Sequence, residues 1–146
     1  MSISSSSIRS IGLLAFIAST AVVAGAPEVR ITEDKRPDNY RRLITGTCNN
    51  HTYEISVLIG RLPIITSVVG AKVDDRSLMH GLRTALAILP ENSHAISDVF
   101  LDRCSKNRVR LQVDVVQAGQ PPNIHHYFLW LGEDGSVQMI SERRSN

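Results

Sequence analysis

The sequence predicts an α+β domain in which a mostly antiparallel, curved sheet packs against a single helix, in the order βββαββββ, closed by one disulfide. Three observations carry this. Residues 108–117 alternate strictly, with Val109, Leu111, Val113 and Val115 set between Arg110, Gln112 and Asp114. That period of two buries one face of a strand and wets the other, as antiparallel sheets do. Leu78, Leu82, Leu86 and Leu89, with Met79 and Ala85, recur at intervals of three and four, the period of one helix face. Cys48 and Cys104 lie on either side of that helical stretch.

In chain order, residues 1–25 read as a signal peptide. Arg9 precedes an apolar run of about 13 residues, well short of the ~20 that span a bilayer, and small residues follow it. Pro27 disfavours cleavage after Ala26, so cleavage is expected after Ala24 or Gly25, with no stable membrane anchor left in the mature chain. Residues 26–42 are dense in charge and contain two prolines, and they predict an extended arm with at most a short strand over 28–32. The domain proper is expected over 43–146.

Residues 43–48 and 52–60 form β-branched runs around Asn49 and Asn50, which tolerate the left-handed backbone of hairpin turns. Residues 64–73 predict a third strand, with Gly70 at a bulge or bend. Asp74 or Asp75 is suited to capping a helix of about 15 residues that Pro90 ends. Four more strands follow over 98–104, 108–117, 124–131 and 136–142, the last pair joined by a Gly132-Glu133-Asp134-Gly135 turn. A paired Cys48 and Cys104 would close a loop of about 55 residues, a span at which chain entropy favours the cross-link by ~4 kcal/mol. Such a bond places the protein in the periplasm or outside the cell.

Composition narrows function mainly by exclusion. The chain has 146 residues, which is room for one core. With 42% hydrophobic and 21% charged residues it is too apolar to be disordered. Loss of the leader takes Arg9 from a formal net charge of +2, leaving the mature chain close to neutral and without the basic face that nucleic acid requires. No serine sits in a nucleophile elbow, no glycine pattern forms a phosphate loop, and the cysteine spacing fits no zinc or redox motif. Neither a cofactor nor a metal is expected.

What remains is a small exported noncatalytic domain that binds a protein or a component of the cell envelope. Its candidate contacts are Phe128 and Trp130, which share one face of a strand, and the loop at Pro121 and Pro122. Two other readings stand beside it. One is a small secreted hydrolase or metal-dependent enzyme using His51, His94 or His126 with a nearby acid; the other is an envelope component that self-associates through an open sheet edge.

Overall fold

The computed structural model describes residues 25–35, 40–60, 64–89, 94–117 and 123–144, and residues 1–24 of the expected leader, Pro90, Pro121 and Pro122 lie outside them. Five strands make the first sheet: β1 (Glu28–Lys35), β2 (Tyr40–Cys48), β3 (His51–Ile59), β4 (Ile65–Val73) and β5 (Arg76–Ser77). The helix α1 (Met79–Ala87) follows. A second sheet then holds β6 (His94–Ser105), β7 (Arg108–Gln117), β8 (Asn123–Gly132) and β9 (Val137–Arg144). In both sheets every strand pairs antiparallel with its neighbour in sequence.

The antiparallel architecture, the single helix and the disulfide therefore hold, but the single curved sheet does not. Among the described residues there are two sheets, five strands rather than three precede the helix, and the helix has nine residues rather than about fifteen. Periodicity shows which face of a strand is buried; it carries no information on which strands share hydrogen bonds. Here the helix interrupts the ladder, and β6 begins a new sheet. Within the segment expected as a charged arm, residues 28–35 form a strand longer than the 28–32 anticipated, all eight of them opposing β2, whose own first residue is Tyr40.

One apolar cluster joins the two sheets. Ile44, Tyr53, Ile55, Val57 and Val73 from the first sheet are buried with Val109, Leu111, Val113, Leu129 and Leu131 from the second. The sheets meet where β2 and β4 face β6. A Cβ on Gly46 would overlap the Cδ1 end of Leu101, so it is contact rather than backbone angle that favours glycine there. Two residues further on, Cys48 is bonded to Cys104 with their Cα atoms 5.7 Å apart. Asn49, at φ 51°, turns the chain into β3, and its side-chain amide donates to the carbonyls of Ser105 and Lys106. The turn between β2 and β3 is thereby tied to the turn between β6 and β7.

The helix keeps its predicted stripe but loses its predicted cap. Leu78, Leu82, Ala85 and Leu89 are buried, and Met79 and Leu86 pack half-buried against them. Asp74 and Asp75 instead form the turn between β4 and β5, with Asp74 at φ 49°. Leu78 occupies the N-cap without a side-chain hydrogen bond, and the first turn has no acid. Its amide is anchored on the Ala71 carbonyl at 2.9 Å, so tertiary contact does what a cap would otherwise do.

Gly81 allows α1 to lie against β9. A Cβ there would sit 2.9 Å from both Cβ and Cγ2 of Val137, a β-branched side chain with little freedom to move. Gly81→Val is expected to destabilise the protein by about 1–3 kcal/mol through overpacking, despite glycine's poor helix propensity, as urea unfolding would register.

Candidate functional site

The alternation that buries Val109, Leu111, Val113 and Val115 sends Arg108, Arg110, Gln112 and Asp114 to the outer face of the second sheet. On β8 the same rule buries Tyr127, Leu129 and Leu131 and turns His126, Phe128 and Trp130 outward. Register then decides which groups meet. Arg110 lies opposite Trp130, Gln112 opposite Phe128 and Asp114 opposite His126. The guanidiniums reach diagonally: Arg108 stacks 4.5 Å from the centre of the Trp130 ring, and Arg110 stacks 4.5 Å from that of Phe128. Each such stack contributes about 0.5–1 kcal/mol at exposed sites.

Asp102, on β6, fixes the middle of this row. Its carboxylate accepts from Arg110 Nε at 2.8 Å and from Nη2 as well, a bidentate grip that raises the guanidinium pKa further above its ordinary value. Phe100, opposite Gln112, extends the aromatic row onto β6. At the other end Asp114 Oδ1 lies 2.6 Å from His126 Nδ1 and accepts from the Gln112 amide at 2.8 Å. The result is a half-buried row of aromatic rings separated by guanidiniums, each held by a neighbour. Among the residues whose side chains are described, Arg108 has no carboxylate partner.

Phe128 and Trp130 thus share one outer face, and Tyr127 lies opposite and buried. Pro121 and Pro122 fall outside the described residues, and so does the side chain of His94. Sequence reasoning passed over Arg108, Arg110 and Asp102. A signal was present in the two arginines spaced by two on a strongly alternating strand, but linking them to particular rings needs the β7–β8 register.

Among the described side chains, His51 and His126 are not brought together. His51 spends both ring nitrogens on carboxylates, with Nδ1 2.8 Å from Asp74 and Nε2 3.0 Å from Glu133. Asp74 also accepts from the Thr52 amide at 2.9 Å, and Arg76 donates to the Glu133 carbonyl at 2.9 Å. His51 therefore clamps the first sheet to the turn between β8 and β9. Among the described residues no group of three or more His, Cys, Asp and Glu is placed to hold a metal ion. On the outer face of the first sheet a cavity of about 330 Å³ opens beside Gly70. Four of its polar side chains are paired with one another, Arg41 donating to Ser56 at 3.2 Å and Lys72 lying 3.2 Å from Glu54.

The clamp has a pH signature. The Asp74 hydrogen bond raises the His51 pKa above 6.5, and the same contact lowers that of Asp74 below 3.8. Burial, then the nearby acids, push Tyr53 up to about 12. A raised histidine contributes stability that is fully present below its unfolded pKa and lost as pH rises through its folded one. A lowered aspartate contributes above its unfolded pKa and loses this as pH falls through the folded one. Thermal unfolding is accordingly expected to show falling stability as pH rises through and above about 6.5, and His51→Gln is expected to flatten that slope.

Compared with protein-family models, curated proteins and solved structures, this chain matches none.

Proposed function

We propose that this chain is an exported, noncatalytic binding module whose working surface is the outer face of β7 and β8 and whose partner is a protein. The observation that carries the reading is the interleaved row of Arg108, Trp130, Arg110 and Phe128. Arginine and large aromatics dominate the energetic centres of protein interfaces. Stacking and the Asp102 grip already restrict these side chains, so docking would lose little rotamer freedom. A partner acid over Arg108 would complete the charge balance beside Trp130.

Export rests on the leader-like sequence and agrees with the Cys48–Cys104 bond. No helix among the described residues is long and apolar enough to cross a membrane. The enzyme alternative draws less support, since His51 has both nitrogens engaged and no described hydroxyl or thiol is hydrogen-bonded to His126.

The test is affinity capture from the producing cell's envelope, run in parallel with wild-type protein and Trp130→Ala. One stoichiometric protein partner is expected, bound at least ~30-fold more weakly by the variant while circular dichroism stays unchanged. A partner held equally well by Trp130→Ala would refute this face as the site. A blank capture with turnover of an ester or peptide substrate would favour the enzyme.

A further inference from the structure

We propose that two copies of this chain join edge to edge through β1, antiparallel, about a two-fold axis at Thr32, so that their first sheets fuse into one. Among the described residues β1 pairs with β2 alone, and all eight of its residues are exposed. Val29 and Ile31 are 36% and 55% exposed although they lie opposite Gly46 and Ile44, on the face that is buried further into the sheet. Two of the usual protections of an edge, a proline and a bulge, are missing from this strand, whose eight pairs with β2 run unbroken; the protection that remains is its five charged residues, which a partner strand has to match.

Charge and the length of strand that is paired together select the partner and the register, since an axis at Val29 matches Glu28 with Arg30 but leaves residues 32–35 unpaired. A two-fold axis normal to a sheet preserves its faces, so directly opposed residues must have the same parity and the axis must pass through a residue. Centred on Arg30, the strand sets that guanidinium against its own copy. Centred on Ile31, it sets Glu28 against Asp34 twice, and centred on Glu33 it opposes two carboxylates. Centred on Thr32, it sets Arg30 against Asp34 of the second copy, and the symmetry repeats that pair. Val29 then meets Lys35 of the second copy, whose aliphatic stem can cover it, and the two Ile31 side chains become diagonal neighbours. Among the described residues of one copy Arg30 is held only by Glu28 at 3.6 Å, with both side chains largely in water, so its guanidinium can turn to a new acid.

The experiment uses protein in the form an expressing host processes. Light scattering across a dilution series is expected to find a species of twice the monomer mass that dissociates on dilution. Thr32→Cys is expected to form an intermolecular disulfide under mild oxidation, because opposed Cα atoms in an antiparallel pair lie ~4.5–5.5 Å apart, within disulfide reach. Arg30→Cys serves as the control, since in this register the two copies of residue 30 are more than ~10 Å apart. Arg30→Glu, which alters one fully exposed side chain, is expected to weaken the dimer at least ~10-fold, with the circular dichroism of the monomer preserved. A monomer at every concentration would overturn the proposal. So would a dimer that cross-links no better through residue 32 than through residue 30, or one indifferent to Arg30→Glu.

Discussion

Replacing both cysteines, Cys48→Ala with Cys104→Ala, is expected to lower the free energy of unfolding by about 4 kcal/mol. The bond spans a sequence separation of 56 and is the covalent link between β2 of the first sheet and β6 of the second. Its loss releases the denatured chain from a long closed loop, and it also removes two side chains packed in or against the core. Small domains have only about 5–15 kcal/mol in total, so the variant should sit near the edge of folding. Urea unfolding of the oxidised protein and the double variant measures the difference directly. A change below about 1 kcal/mol would mean that the sheets are held by apolar contact alone.

Leu82→Ala carries the second large expected effect, a loss of about 2–5 kcal/mol. Leu82 has no exposed surface and lies in the middle of the buried stripe of α1. A nine-residue helix without a side-chain cap or an acid in its first turn has little stability of its own. Its order depends on this stripe, so a cavity there should loosen the whole element as well as remove transfer energy. Leu86→Ala, at a half-buried position of the same helix, should cost clearly less. Equal losses at the two positions would contradict the packing described for α1.

How much of this was legible in the sequence follows from the range of the forces involved. The strand β7 was bounded without error because its alternation is local and uninterrupted. The same parity separated Tyr127 from Phe128 and Trp130. The helix stripe was legible for the same reason, but its start was not. Asp74 has the chemistry of a cap and was assigned to one, whereas it adopts a left-handed turn and binds His51, a partner 23 positions earlier. The two-residue strand β5 is too short to have a period at all. In β1 the charged residues hide the full length of a strand that is held by pairing with β2 rather than by burial of its side chains. Division into two sheets depends on pairing, which no local pattern encodes. The candidate face shows the same limit: its rings were found, but the arginines stacked on them come from a neighbouring strand.

The architecture and the export reading meet in one pair of sulfur atoms. Titration of free thiols in native protein, taken from the producing cell under conditions that trap thiols, is therefore the most direct test. The account predicts that neither Cys48 nor Cys104 reacts until a reductant is added. Two reactive thiols in that material would contradict both the covalent junction between the sheets and the placement of the protein outside the reducing cytosol.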